Sequence, residues 1–314
     1  MNGNKIYLFM CIHVHSRFLP FSYSAINHRR FDHKMVIALP WRTKVLSMSR
    51  IIIATDFSPD ALHAARYAAH LFGNTDVTYI LVHAHFDPGS LVPTIPAYSP
   101  ELLEAARDGL AASAKEFVEV TGAISVEHQL LLGPLPQALL DLTEERGADA
   151  VVVGTKGRSG NGLFGSNTSD IIRTSAVPVI TVPARAELAQ VRRIILADDR
   201  EVMDPDKLSM LRLMALRHKA EVLVAHIDSG KPALGTTRER MAVLLPDVPF
   251  TVLEPQGTDV VEGLIQAARD NKANMIAVLH RHKGLLSRLL HTSVAKELAL
   301  DTELPLLVLE QEEG

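Results

Sequence analysis

Glycine and hydroxyl residues cluster in one segment of this chain, directly after an apolar run at residues 150–153. Five residues of the segment could contact an anion: Gly154, Gly157, Gly165, Ser166 and Asn167. Glycine lets the backbone approach a ligand closely, and amides at the start of a helix point toward negative charge. Serine and asparagine can add a donor and cap the helix that follows. The pattern predicts a phosphate-binding loop, with a purely structural glycine turn as the alternative.

The residues around this loop predict the elements that hold it in place. The apolar run reads as a buried strand, and a helical stretch and a second β-branched strand behind Pro178 follow the loop. Three earlier strand segments alternate with helices, and the first helix opens with Ser58 as its cap and Pro59 in its first turn. Strands and helices that alternate at this spacing predict a parallel sheet covered on both faces.

The same order of elements occurs twice. RIILADD at residues 193–199 repeats RIIIATD at residues 50–56. LPLLVL at residues 304–309 repeats VPVITV at residues 177–182. We therefore predict a tandem repeat of one domain, with copies at residues 50–184 and 192–310 and a short linker, Ala184–Val191, between them.

Residues 1–49 differ in composition from both copies. They carry seven Lys or Arg against one acidic residue, Asp32, and show no sustained hydrophobic period. We expect a disordered extension or an upstream start, with Met48 as the start of the folded protein. The apolar patch at residues 6–12 leaves a short targeting segment as the alternative.

The two copies resemble the universal stress protein family. The residues that carry this resemblance are the aspartate after the first strand (Asp56), the GxxG of Gly154 and Gly157, the Gly-Ser of Gly165 and Ser166, and the VPVITV ending. The resemblance implies an α/β fold of two tandem doubly wound domains, each with a five-stranded parallel sheet. Seven residues separate Gly157 from Gly165, two fewer than in the family's nucleotide-binding branch.

The resemblance also implies a ligand, ATP with Mg²⁺, and a role for each matching residue. Asp56 would contact the nucleoside, Val82 and His83 the adenine, and the glycine loop the phosphates. Each has a simpler interpretation: Asp56 is also a typical turn residue, and His83 could merely end a strand.

The second copy has lost the glycines. Leu279, His282 and Thr292 stand where the first copy has Gly154, Gly157 and Gly165. Side chains there would block close backbone contact, so we expect nucleotide binding only in the first copy. His280, His282 and His291 raise a metal site as an alternative, but no cysteine or HExxH spacing accompanies them.

Bulk composition excludes several classes of protein. A length of 314 residues suits two domains, and a net charge of −4 argues against a nucleic-acid surface. The single cysteine, Cys11, excludes an intrachain disulfide framework and fits a reducing compartment. No apolar run reaches the length of a membrane span. We therefore expect a cytoplasmic protein.

The closing strands of the two copies are apolar and would lie at sheet edges, where an unpaired strand invites another. In the resembling family this strand pairs between domains. We predict that the two copies pair through their last strands as an intramolecular pseudo-dimer. A homodimer of the whole chain, or an edge covered separately in each copy, is the alternative.

The sequence contains no GxSxG elbow and no full Walker loop, so binding is favoured over catalysis. The predicted function is a stress-response protein with an ATP-binding regulatory first domain, a structural second domain and an unidentified protein partner. A ligand-free interaction protein and a weak ATPase are the alternatives.

Overall fold

Strands and helices alternate throughout the part of the chain that the structure describes. The computed structural model describes residues 49–86, 99–155, 166–199, 202–226, 236–253, 260–280 and 303–310, all within one compact unit, residues 39–314. The predictions for residues 1–48 fall outside this part of the chain.

The elements of each half follow the order that the sequence predicts. The first half contains β1 (Ser49–Ala54), α1 (Pro59–Phe72), β2 (Val77–His85), α2 (Pro100–Thr121), β3 (Ser125–Leu132), α3 (Leu135–Arg146), β4 (Ala150–Gly154), α4 (Ser166–Thr174) and β5 (Val179–Val182). The second half contains β6 (Arg193–Asp198), a 3-10 turn (Pro205–Leu208), α5 (Ser209–His218), β7 (Glu221–His226), α6 (Thr237–Leu244), β8 (Phe250–Leu253), α7 (Val260–Asp270), β9 (Met275–His280) and β10 (Leu306–Glu310).

Helix α1 shows how local sequence sets the element boundaries. The Ser58 hydroxyl accepts a hydrogen bond from the Ala61 amide at 3.2 Å, and Pro59 fills the first helical position, where no amide is needed. The helix ends at Gly73, which has a φ of +79° that other residues rarely adopt. Both ends of α1 therefore lie where the sequence places them, and the helix delivers the chain from β1 to β2.

The ten strands of the described residues form one sheet, in the order β3-β2-β1-β4-β5-β10-β9-β6-β7-β8. Neighbours within each half run parallel, whereas β5 and β10 run antiparallel. Leu306 pairs with Thr181, Leu307 with Ile180, and Val308 with Val179. We call the β5–β10 pair the seam. The predicted fold class is confirmed: two tandem doubly wound α/β domains paired through their last strands.

Two apolar layers cover the sheet, one on each face, and both run across the seam. One layer joins Ile180 of β5 to Leu307 of β10, both fully buried. The other joins Val179 to Val308. The two halves therefore share a continuous core. Burying one such side chain contributes about 1.5–3 kcal/mol to the stability of the fold.

The linker between the halves also packs against this core. Ala186 is 3% exposed and Val191 is fully buried. Two buried residues in a segment this short leave little freedom for the halves to separate. The linker is therefore part of the folded structure.

Candidate functional site

Three of the predicted site residues of the first half lie close together at one edge of the sheet. Asp56 follows β1, Val82 lies near the end of β2, and Gly154 ends β4, and these are three neighbouring strands. The chain leaves β1 toward one side of the sheet, to β2, whereas β4 leads to the other side. Ligands of open α/β sheets bind outside the carboxyl ends of the strands at such a switch point. We call this region the first site.

Asp56 sits in the tight turn that leads from β1 to α1. Its Oδ1 accepts a hydrogen bond from the Ser58 amide at 3.1 Å, and Thr55 Oγ1 accepts one from the Phe57 amide at 3.0 Å. Phe57 has a φ of +64°, which is uncommon for a bulky residue. The turn role that the sequence allows for Asp56 is therefore present. The half-buried Asp56 side chain lies at the carboxyl end of β1.

Val82 and His83 form the wall of the first site on the β2 side. Val82 is fully buried, and its carbonyl accepts a hydrogen bond from the Thr55 amide at 2.8 Å. His83 Nδ1 donates to the Thr55 carbonyl at 2.8 Å, because a carbonyl can only accept. Its ring stacks on Phe57 with centroids 4.2 Å apart. The His83 ring is therefore fixed against the turn after β1.

Gly154 anchors the start of the glycine loop, and the first turn of α4 anchors its end. The Thr168 hydroxyl donates to the Gly154 carbonyl at 3.1 Å, and the Thr155 amide donates to the Val182 carbonyl at 3.1 Å. Thr155 and Thr168 are both buried. The two ends of the loop are thereby joined, although the residues between 155 and 166 lie outside the described part of the chain.

The other predicted loop residues divide between these two regions. Gly157 and Gly165 fall outside the described residues. Ser166 and Asn167 begin α4, and Asn167 is exposed at the helix start, where backbone amides have no intrahelical partner. The structure therefore places Gly154, Ser166 and Asn167 at the mouth of the predicted loop.

Three residues of the first site were not singled out from the sequence. Thr168 binds the Gly154 carbonyl, Thr55 binds the backbone of its own turn, and Phe57 packs between His83 and Gly109 of α2. A threonine two positions after Ser166 was a usable signal for a hydroxyl at the loop. Nothing in the sequence marks Phe57 for a positive φ.

The second site, at the carboxyl ends of β6, β7 and β9, has a different lining. Leu279, 6% exposed, pairs with Leu309 as Gly154 pairs with Val182. Asp198 is fully buried and forms an ion pair with Arg240 of α6, with Nη2 and Oδ1 2.8 Å apart. An apolar side chain and a buried ion pair therefore lie where the first site has Gly154 and Thr55.

The metal alternative concerned three histidines of the second half. His280 ends β9, whereas His282 and His291 lie outside the described residues. Within the part of the chain that the structure describes, no group of three His, Cys, Asp or Glu side chains is arranged to hold a metal ion. A search of the same residues for membrane-spanning helices also finds no segment of sufficient length and hydropathy.

Comparison with known proteins identifies the family. The sequence profile described as "Universal stress protein family" matches residues 48–183 and again residues 198–310. A search of curated protein sequences gives no match. A universal stress protein from Archaeoglobus fulgidus DSM 4304 has a similar structure, with a TM-score of 0.65 at 16% identity, over 85% of this chain and 98% of that one.

Other solved structures are also similar. A functionally unknown protein from Pseudomonas aeruginosa PAO1 matches with a TM-score of 0.52 at 16% identity, over 85% of this chain and 94% of that one. A universal stress protein solved in complex with cAMP matches over 43% of this chain and 96% of its own, with a TM-score of 0.35 at 23% identity. Together, the two profile matches cover more than half of the sequence. This chain belongs to the universal stress protein family, with two family domains in tandem.

Proposed function

We propose that this protein is a stress-response protein whose first domain binds an adenine nucleotide, ATP with Mg²⁺, and whose second domain is a structural partner. The observation that carries this proposal is the difference between the two sites within one symmetric fold. Gly154 of the first site offers bare backbone at the end of β4, and Leu279 takes the same register position in the second.

The first site has the features that a phosphate and a nucleoside need. The proposed ligand-binding residues are Asp56, Val82, Gly154, Gly157, Gly165, Ser166 and Asn167. The amides at the start of α4 would face the phosphates, since a helix start favours negative charge. The Thr168 hydroxyl donates to the Gly154 carbonyl and so fixes the start of the loop against the first turn of α4. The Asp56 carboxylate would accept a hydrogen bond from a ribose hydroxyl.

The second site lacks these features. The buried Asp198–Arg240 pair neutralises both charges inside the protein, so Arg240 is already occupied and a ligand would have to displace it. Leu279 covers the backbone that Gly154 leaves bare. We assign the second domain a structural role: it supplies β10, which completes the edge of β5.

We propose that nucleotide acts as a regulatory ligand. Binding would order the loop between Gly154 and Asn167 and change a surface that a partner protein recognises, because a ligand shifts a conformational equilibrium toward the state it binds best. Holding the nucleotide is favoured over consuming it, since the side chains of the first site are engaged in turn and backbone contacts. We also propose a cytoplasmic location, because a single cysteine fits a reducing compartment.

Calorimetry with Mg-ATP on the full chain tests the proposal. Asp56→Asn keeps the hydrogen bond from Ser58 but removes the charge, so we expect affinity to fall about tenfold, the difference between a charged and a neutral hydrogen bond. Asp199→Asn, at the matching position of the second half, is the control and should leave affinity unchanged. Gly154→Leu, which copies Leu279, should abolish binding.

The other functions predict different results. No heat and no thermal shift with Mg-ATP would favour a ligand-free interaction protein. Phosphate release that disappears in Asp56→Asn while the fold survives would favour a weak ATPase. Equal losses in Asp56→Asn and Asp199→Asn would contradict the assignment of the ligand to the first site.

The assembly of the protein is a separate proposal. We propose that the whole chain acts as one pseudo-dimer, because the seam already pairs the strand that would otherwise join two chains. Sedimentation should then give the mass of one chain, 34.4 kDa. Twice that mass would support a homodimer through another surface.

A further inference from the structure

Two histidines meet where the helices of the two halves come together. His70 lies in the last turn of α1, in the first half, and His218 ends α5, in the second half. Their ring centroids are 6.2 Å apart, with the ring planes inclined by 35°. Both residues are half-buried. Two titratable groups, one from each half, are therefore close together at the junction.

Each histidine donates a hydrogen bond that ties separate segments together. His218 Nε2 donates to the Leu71 carbonyl of α1 at 2.9 Å, which links the second half to the first. His70 Nε2 donates to the Ala189 carbonyl of the linker at 2.8 Å. A carbonyl only accepts, so in each ring Nε2 carries the proton. With each ring neutral, both bonds form without a charge on either imidazole.

The charged neighbours of this pair are basic. The guanidinium of Arg217, one residue before His218, lies over Gly73 at the end of α1, so that a Cβ placed on Gly73 would clash with its Nη2. Burial lowers the pKa of His218 most strongly; the bond to Leu71 opposes this, and the charges of His70 and Arg217 lower it further. The tyrosines nearby, Tyr67 and Tyr79, are neutral, since burial raises the pKa of each phenol.

We propose that His70 and His218 form a pH-sensitive latch between the two halves of the protein. While both rings are neutral, their hydrogen bonds hold α1, α5 and the linker together. A proton gained by either ring on acidification places a positive charge beside Arg217 and the other ring. The repulsion loosens the junction of α1 and α5, while the seam keeps the sheet intact.

The sign of the pH dependence follows from the direction of the shift. His218 has a lower pKa in the folded protein than in the unfolded chain, so the unfolded state binds the proton more readily. The stability contributed by the neutral ring is complete above the unfolded pKa of about 6.5. It is lost as the pH falls through the lower pKa of the folded state.

A double-mutant cycle on the full chain tests the latch. His70→Gln, His218→Gln and the double variant keep a donor but cannot carry a charge, and each is unfolded with urea at about pH 8 and about pH 5, on either side of the histidine pKa. We expect the coupling between the two positions to become less favourable at low pH. The expected change is about 3-fold to 100-fold in the folding equilibrium constant, the range for unit charges at this separation between aqueous and protein-surface dielectrics.

His128→Gln provides the matched control, because His128 is exposed on β3, in the edge strand of the sheet. It should leave the pH dependence of the wild-type protein unchanged. If the double variant keeps that same pH dependence, or if the coupling is equal at both pH values, the latch does not exist.

NMR of the wild-type protein tests the latch even if the variants fail to fold. The imidazole proton resonances of His218 are followed by NMR as the pH is lowered. We expect His218 to titrate below the ordinary histidine pKa, because burial lowers its pKa and the charges of His70 and Arg217 lower it further. A His218 titration at or above the ordinary value would overturn the proposal.

Discussion

Thr181 at the seam should be replaceable by valine with a gain in stability. Its side chain is 1% exposed, and its hydroxyl oxygen has no hydrogen-bond partner among the described residues. A buried hydroxyl without a partner costs about 1–3 kcal/mol in mutational data. Valine has the same shape and suits a strand equally well. We therefore expect Thr181→Val to raise the free energy of unfolding by about 1–2 kcal/mol.

The same substitution elsewhere in the chain should have the opposite effect. Thr143 of α3 is 3% exposed, and its hydroxyl donates to the Leu140 carbonyl at 2.7 Å. Thr143→Val removes that bond and should lower the free energy of unfolding by about 1 kcal/mol. Urea denaturation of both variants measures the two changes, provided that the slopes of the transitions match the wild-type slope.

The sign of the Thr181→Val change decides between two views of the seam. A gain means that β5 and β10 are held together by backbone pairing and apolar burial alone. A loss as large as that of Thr143→Val means that the Thr181 hydroxyl makes a bond across the seam. That outcome would refute the premise that the Thr181 hydroxyl lacks a hydrogen-bond partner.

Two further changes test other parts of the structure. Arg240→Met leaves the buried Asp198 without its cation and should cost about 3 kcal/mol, the lower end for a broken buried pair because Asp198 keeps other contacts. Arg238→Met, exposed on the same helix, should change stability by less than about 0.5 kcal/mol, and an equal loss in both would contradict the burial argument. Gly73→Ala should cost about 1 kcal/mol or more, because its φ of +79° disfavours a side chain and Arg217 occupies the space. Urea unfolding with and without Arg217→Ala separates these two causes: a cost that vanishes in the Arg217→Ala background would show that the backbone contributes nothing.

Most of the fold could be predicted because the informative residues act locally. Ser58 and Pro59 start α1, Gly73 ends it, and the β-branched runs form the strands at the positions their sequence indicates. The repeat added long-range information, because the closing strands of two matching copies each predict an unpaired edge. The antiparallel pairing of β5 with β10 at the seam covers the exposed edge of each half.

The lining of the sites was harder to predict, since it depends on side chains that meet only after folding. Asp198 stands one residue before the match to Asp56, and no local pattern connects it to Arg240, 42 positions later. Phe57 has a positive φ, and its ring packs between His83 and Gly109, a contact between distant segments. The approach of His70 to His218 has the same origin. Such contacts leave no periodic trace in a sequence.

The antiparallel seam also allows the sites of the two halves to change independently. Because the strands of the two halves run in opposite directions, their carboxyl ends lie at opposite edges of the continuous sheet. A molecule bound at the end of β4 cannot touch the end of β9. After a duplication, the second copy could therefore exchange glycine for leucine and acquire an internal ion pair without disturbing the first. The first copy requires only a pairing strand from the second copy. Strand β10 supplies it regardless of which residues line the second site.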